Sequence, residues 1–230
     1  MRLLRFTTVA WVVMGPLLLT AQQSSTKAVD SPPIPMPQDR AEDSYRIYSM
    51  LVGEVGGRGW PHNTLFFADT TVPIVGPDMP CVPQNNLLRM NPHVAIQPPP
   101  DQAQDFAEML EDFDRHCHDR ILLNAGSFKF RAPPRLLTPA EQDEYWRNKA
   151  IVSKPGTTAK EGDTDLAAKY AGAAIITSFS EVFFNAHHTI AMVYSVGLCG
   201  DLCGSASWTV LALRDRKWTT LGWNCAALQF

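Results

Sequence analysis

Two short segments of the chain concentrate residue types that bind metals or attack substrates. One is Asp114-Arg115-His116-Cys117-His118-Asp119, which offers two imidazoles, a thiol and two carboxylates. Zinc takes ligands of these kinds when they converge on one point. On a helix, His116 and His118 point about 200° apart, so they converge only if the helix ends there. The segment predicts either a metal site at His116 and His118, or a helix end. At a helix end, Cys117 lies in the core and the histidines interact favourably with the negative end of the helix macrodipole.

The second segment is Cys199-Gly200-Asp201-Leu202-Cys203-Gly204. If a hairpin turn lies between the two cysteines, they sit opposite each other at about 4.5–5.5 Å, a separation that a disulfide can span. The two glycines permit the tight backbone that such a turn requires. We therefore predict a Cys199–Cys203 disulfide that fixes the turn. A redox-active pair is the alternative, although the spacing differs from Cys-x-x-Cys and no βαβ pattern surrounds it.

A nucleophile can also be assembled from residues that are distant in the sequence. The candidates are Cys117, Ser178 and Ser180 as nucleophiles, with His187 or His188 as the base. None of them lies in a Gly-x-Ser-x-Gly elbow. A hydrolase is thus one alternative, and the other is that both histidines are solvated turn residues.

Four aromatic residues near the C-terminus suggest a binding groove for a sugar or a peptide. They are Tyr194, Trp208, Trp218 and Trp223. Tryptophans on neighbouring strands are equally typical of a core, because each buries a large apolar area. Both interpretations remain open at this stage.

The first 21 residues have the layout of a removable export signal. Arg2 and Arg5 precede an apolar run from Val9 to Leu19, and a polar segment follows Ala21. The run is shorter than the roughly 20 residues that cross a bilayer, which favours a cleaved signal over a retained anchor. We expect a secreted or periplasmic protein, without a stable membrane anchor after cleavage, in a compartment where disulfides form. The five cysteines then predict two bridges and one free thiol, with the connectivity left open.

The charge of the chain argues against nucleic acid as a partner. Removal of Arg2 and Arg5 with the signal takes the formal net charge from -3 to -5. Proteins that bind nucleic acid present a basic face instead. The glycine-rich segment 53–59 lacks the strand and helix that flank a phosphate loop, so we predict no cofactor. The partner remains unknown.

The elements that must position these residues are helices in the first part of the chain and strands in the last. Apolar spacing and capping residues predict helices over residues 42–55, 101–117 and 138–149, with a helical turn over 164–170. Strands are predicted over residues 64–69, 174–184, 189–196, 207–214 and 218–223. The short connections near the C-terminus require antiparallel hairpins. The fold class is therefore α+β: a C-terminal antiparallel meander sheet covered on one face by N-terminal and central helices.

The chain divides into three parts by composition. Residues 1–21 form the signal peptide, residues 22–40 a Pro-rich flexible leader, and residues 41–230 a single α+β domain. Within the domain, Pro and Asn are dense from Pro73 to Pro100, which predicts an irregular segment.

Four segments of the C-terminal part occur in the same order as in a known group of proteins. They are Ile176–Asn185, Ala191–Tyr194, Cys199–Gly204 and Lys217-Trp218. In these pieces the chain resembles a group of uncharacterised secreted bacterial proteins with a Cys-Gly-x-x-Cys-Gly type hairpin turn. The resemblance implies a bacterial source, export and an α+β fold, and it implies no activity.

These observations favour a non-catalytic extracytoplasmic domain that binds or supports a partner. A hydrolase with a Cys or Ser nucleophile and a histidine is one alternative. A metal-binding protein is the other.

Overall fold

The computed structural model of the 230-residue chain describes residues 32–56, 65–74, 81, 91–130, 133–152, 175–200, 203–221 and 227–229. The helices within them are α1 (Gln38–Gly56), α2 (Pro92–Ala95), α3 (Ala103–His116) and α4 (Pro139–Val152), with 3-10 turns at Pro100–Gln102 and Ala125–Ser127. In this described part of the chain, no helix has both the length and the hydropathy to cross a membrane.

The described strands form one large mixed sheet and one small parallel pair. They are β1 (Ile34–Pro35), β2 (Phe66–Ala68), β3 (Ile121–Leu122), β4 (Arg135–Leu137), β5 (Ile176–Phe179), β6 (Phe183–Phe184), β7 (Ile190–Gly200), β8 (Cys203–Arg214), β9 (Lys217–Thr220) and β10 (Ala227–Gln229). The large sheet has the order β10-β8-β7-β5-β2-β4, with β6 beside β7 and β9 beside β8. β2 runs parallel to β4 and β5, and β1 pairs with β3.

The predicted C-terminal meander and the α+β class are confirmed. β7, β8 and β9 follow one another as antiparallel neighbours. Asp215 and Arg216 form the tight turn before β9, with φ angles of 49° and 63°, as two-residue hairpin turns require. β7 and β8 continue into the segment that was predicted as a turn. The predicted strand 174–184 is divided into β5 and β6 by residues 180–182.

One face of the sheet packs against α3. On β7 and β8, every second residue points to this face, namely Ile190, Met192, Tyr194, Ala206, Trp208, Val210 and Ala212. From α3, Phe106, Met109 and Phe113 enter the same cluster, and each is at most 1% exposed. The predicted apolar stripe of this helix is therefore its buried face.

The opposite face packs against α1. The alternate residues Ala191, Val193 and Leu211 point to this side, together with Phe179 and Phe184. Tyr45 and Tyr48 of α1 cover them, and the Tyr48 ring stacks on Phe179 at 4.7 Å between centroids. The prediction that the N-terminal and central helices cover the same face is wrong, because α3 covers one face of the sheet and α1 covers the other.

The folded part of the chain begins before the predicted boundary at residue 41. Ile34 and Pro35 pair with Ile121 and Leu122, and α1 begins at Gln38. Arg40, assigned to the leader from its Pro-rich surroundings, is buried. A charged residue from this segment therefore reaches the interior.

Candidate functional site

A buried arginine lies between two carboxylates beside β6. Arg40 comes from the first turn of α1, Asp112 from α3, and Glu181 from the segment between β5 and β6. The Nη2 atom of Arg40 pairs with Asp112 Oδ2, and its Nη1 atom pairs with Glu181 Oε1. The three side chains are at most 9% exposed. Two negative charges therefore face one positive charge where water screens them little.

Glu181 is placed by the interruption between β5 and β6. The Ser180 N–H donates to the Tyr194 carbonyl at 2.8 Å, and the Tyr194 N–H donates to Ser180 Oγ at 2.9 Å. The Tyr48 hydroxyl donates to the Ser180 carbonyl at 2.9 Å. These bonds hold the interruption against both β7 and α1, and so they fix the backbone from which Glu181 reaches Arg40.

Asp112 is the most heavily bonded member of the cluster. Its Oδ2 atom pairs with Arg40 and also accepts from the Phe184 N–H of β6 at 2.9 Å. Its Oδ1 atom lies 3.1 Å from His116 Nδ1 and accepts from Arg115 Nη2 at 3.3 Å. Both oxygens are therefore satisfied, and α1, α3 and β6 meet at this carboxylate.

Glu181 contrasts with Asp112 in both partners and ionisation. Burial raises the pKa of Glu181 to about 6, although the nearby Arg40 charge acts to lower it. Its Oε2 atom is buried and has no hydrogen-bond partner among the described residues. Burial also acts to lower the pKa of Arg40, but the two carboxylates outweigh it and raise that pKa. Glu181 thus holds its proton more tightly than an ordinary glutamate, and its Oε2 atom has capacity for a hydrogen bond.

The three residues line a cleft of about 470 Å³. The carboxylates of the lining belong to Asp39, Glu108, Glu111, Asp112, Asp119 and Glu181, and the guanidinium groups to Arg40 and Arg115. His116 and His188 are the histidines of the same wall. With neutral histidines, six carboxylates against two guanidinium groups make the lining negative.

The turn between β6 and β7 forms part of the wall. Asn185 Oδ1 accepts from the Thr189 N–H at 2.8 Å, and Asn185 Nδ2 donates to Asp105 Oδ1 of α3 at 2.8 Å. His188 has a φ of 51°, and its ring stacks on Phe184 at 4.5 Å between centroids. The predicted turn at these residues is confirmed, and hydrogen bonds attach it to α3.

The two histidines predicted as metal ligands contact different groups. His116 lines the cleft, and its Nδ1 atom also lies 3.0 Å from the Asp112 carbonyl oxygen. His118 instead lies beside Cys81 and Cys117, and the ligand atoms of these three residues are within 4.8 Å of one another. Cys81 and Cys117 form a disulfide with a Cα–Cα distance of 5.8 Å. The sequence predicted disulfides but left this pairing open.

The predicted Cys199–Cys203 bridge stays a prediction. In the backbone, Cys203 pairs with Gly200, and the register shifts between Leu198 and Gly200, where Cys199 lies. The side chains of both cysteines are outside the described part of the chain.

The aromatic residues suggested for a groove are core residues where they are described. Tyr194 and Trp208 pack together at 5.2 Å between centroids on the α3 face. Trp218 is buried on the α1 face, and its Nε1 atom donates to Asp43 at 3.1 Å. Trp223 lies outside the described residues. The three described rings thus occupy two faces of the sheet and do not line one groove.

Two of the three nucleophile candidates, Ser180 and Cys117, are engaged in structural contacts. Ser180 Oγ donates to the Glu181 carbonyl at 2.6 Å, and the sulfur of Cys117 is in the disulfide. Neither these residues nor Ser178 and His187 belong to the lining of the cleft. The hydrolase alternative stays a prediction.

The sequence interpretation missed the three central residues of the site. Asp112 lies between the apolar positions Met109 and Phe113 of an amphipathic helix, and Glu181 is the one charged residue of the strand-like segment 176–184. A carboxylate at a buried position needs a partner, so both residues carry a readable signal. Arg40 carries none, because its neighbours are Pro-rich and polar.

Comparison with protein-family models, with curated proteins and with solved structures finds no match to this chain. What the cleft does is therefore inferred from its own residues.

Proposed function

We propose that this protein is an extracytoplasmic, non-catalytic binding domain whose cleft takes an organic cation with a primary ammonium group. The observation that carries the proposal is that Glu181 belongs to the lining of the cleft and has a buried Oε2 atom with no donor among the described residues. An unsatisfied buried acceptor destabilises the protein until a donor reaches it. An ammonium group brings three donors and no acceptor, together with the opposite charge.

The charge and size of the cleft support a small cation. The lining carries six carboxylates and two guanidinium groups, so it attracts positive charge. Its volume of about 470 Å³ falls within the range of roughly 300–1,000 Å³ that is common for small-molecule sites. An amine with a short carbon chain fits both properties.

A purely structural role explains Asp112 better than it explains Glu181. Asp112 receives donors from three other residues besides Arg40, and it joins the helices to β6. Glu181 receives Arg40 on one oxygen only. Asp112 therefore has the contacts of a structural residue, whereas Glu181 keeps one oxygen that a ligand can satisfy.

Export is the second part of the proposal. The basic and apolar layout of residues 1–21 and the resemblance to secreted bacterial proteins support it. The Cys81–Cys117 disulfide adds support, because such bonds persist in oxidising compartments. N-terminal sequencing of protein recovered outside the cytoplasm should give a start near Gln22. Recovery of chains that keep Met1 in the cytosol would contradict export.

Ligand binding can be tested with 1,4-diaminobutane and its neutral analogue 1,4-butanediol. We expect the diamine to raise the melting temperature and the diol to leave it unchanged. Glu181→Gln should weaken diamine binding at least tenfold, because it removes the charge that the ammonium group faces. The matched control is Glu42→Gln, which removes one carboxylate from an exposed site on α1. Equal responses to amine and diol, or equal affinity in Glu181→Gln and the wild type, would overturn the proposal.

A further inference from the structure

A second cluster of ligand atoms lies beyond the end of α3. The disulfide joins Cys81 to Cys117, and His118 follows directly in the sequence. The two sulfurs and a ring nitrogen of His118 lie within 4.8 Å of one another. Cys117 is 1% exposed, and Cys81 and His118 are partly buried. The cluster is therefore partly shielded from water.

The end of α3 explains how adjacent residues face the same point. The Cys117 N–H still donates to the Phe113 carbonyl at 2.8 Å, and the Asp119 N–H then donates back to the His116 carbonyl at 2.9 Å. The chain thus leaves the helix in a turn after His116. In a regular helix, neighbouring side chains point about 100° apart, and the turn removes that constraint.

His118 has an unmet bonding requirement. Its Nδ1 atom is buried and has no hydrogen-bond partner among the described residues. His116, two residues earlier, has its Nδ1 atom beside both the carbonyl and the carboxylate of Asp112. A buried imidazole nitrogen without a partner needs an explanation, and a bound ion is one of the explanations that apply to such groups. Histidine is the commonest protein ligand of metal ions.

We propose that Cys81, Cys117 and His118 form a redox-controlled site for a thiophilic divalent metal ion such as zinc. Two thiolates and an imidazole suit zinc in kind, and a fourth position remains for water or a ligand. In tetrahedral zinc sites the sulfurs stand roughly 3.7 Å apart, a spacing that follows from Zn–S bonds of about 2.3 Å. Once the S–S bond is broken, the two sulfurs can take that spacing around an ion.

The disulfide and the metal exclude each other. In the disulfide, each sulfur is bonded to the other and offers no thiolate. A phosphine reductant breaks the S–S bond with one water molecule, giving two thiols and the phosphine oxide. Zinc then displaces one proton from each thiol. A newly made chain carries both cysteines as thiols, so the metal-binding form precedes the disulfide form. A small-molecule disulfide can then oxidise the two thiolates: the S–S bond forms, the oxidant takes two electrons and two protons to become two thiols, and the ion is released.

The site can be tested on the full mature chain after phosphine reduction under nitrogen. Titration with Co²⁺, followed by displacement with Zn²⁺, reports thiolate ligands through the charge-transfer band of cobalt. We expect one ion per chain in the reduced protein and none at this site in the oxidised protein. His118→Gln should weaken binding at least tenfold, while the control His187→Gln, at an exposed position outside the cleft lining, should stay within twofold of the wild type.

Two further measurements guard against thiols elsewhere and against loss of folding. The Cys81→Ser/Cys117→Ser variant keeps the other three cysteines, so it should lose the ion if the proposal holds. In the reduced wild type, zinc should slow the alkylation of Cys117 by iodoacetamide, as measured by peptide mass spectrometry. Unchanged affinity in His118→Gln, retention of the ion in the double variant, or alkylation at the same rate with zinc would each overturn the proposal.

Discussion

His116 and His118 stand two residues apart and belong to two regions with different physics. His116 lies beside Asp112 in a region held by charges, where Arg40 joins α1 to α3. His118 lies beside Cys81 and Cys117 in a region held by a covalent bond. The end of α3 divides them. Residues that are clustered in the sequence can therefore belong to separate sites. The charged cluster should respond to pH and to loss of a charge, and the covalent one to loss of the disulfide.

The largest expected loss of unfolding free energy follows from a substitution in the charged region. Arg40→Met leaves Glu181 without its cation and Asp112 with only the exposed Arg115 and the half-buried His116 beside it, and removal of one partner from a buried pair costs about 3–5 kcal/mol. Urea unfolding at pH 7.5 measures the change. The control Arg46→Met removes an arginine from the same helix whose side chain is 47% exposed, and it should cost less than about 1 kcal/mol. Equal costs for the two variants would show that the buried cluster does not hold α1.

Removal of the disulfide should lower the free energy of unfolding slightly less than Arg40→Met does. Cys81 and Cys117 are 36 residues apart in the sequence, and a disulfide of that span typically contributes about 2–4 kcal/mol. Urea unfolding of Cys81→Ser/Cys117→Ser, compared with the oxidised wild type, measures the loss. The reduced wild type should resemble the variant. An unchanged midpoint would mean that the bond does not constrain the unfolded chain.

The pH dependence of stability separates the regions further. Burial raises the pKa of Glu181 to about 6 in the folded protein, so the folded state holds this proton more tightly than the unfolded state does. The favourable contribution is full below the unfolded pKa, near 4.5, and is lost as the pH rises through about 6. Its size is about 1–2 kcal/mol.

Glu181→Gln provides the comparison for that dependence. Between pH 4.5 and 7, the wild type should lose about 1–2 kcal/mol of unfolding free energy relative to the variant. Glu42→Gln should follow the wild type, because its carboxylate is exposed. Parallel curves for the wild type and Glu181→Gln would contradict the raised pKa.

The smallest effects distinguish the two histidines directly. His116→Ala removes a contact to Asp112 and should cost about 0.5–1 kcal/mol. His118→Ala should cost less in the oxidised protein, because the Nδ1 atom of His118 has no described partner to lose. Thermal unfolding of both variants measures the difference. The reverse order would refute the division of the two histidines between the regions.

Features that depend on local sequence patterns could be predicted, whereas features that depend on long-range contacts could not. The apolar stripe of α3 and the short connections of the meander depend on neighbouring residues, so the sequence alone predicted both. The parallel pairing of β2 with β4 and β5 joins distant segments, and no local pattern encodes it. No residue near any of the other cysteines marks it as the partner of Cys81, so the bond to Cys117 could not be predicted.

The candidate site divides in the same way. Asp112 stands out as a charge between apolar positions of a helix, and Glu181 as the one charge of a strand-like segment, so a stricter interpretation of the sequence could have found them. Arg40 could not be found, because its burial depends on where α1 packs and not on its Pro-rich neighbours. The positive member of the cluster is set by tertiary contact alone.

The hydrogen bond from the Phe184 N–H to Asp112 also concerns self-association. Among the described strands, β6 has one neighbour, β7, and its outer side would offer a free N–H to a strand from another molecule. Asp112 occupies that N–H and places a carboxylate where an incoming strand would need a carbonyl. The same side chain that balances Arg40 therefore also protects this margin of the sheet from intermolecular pairing.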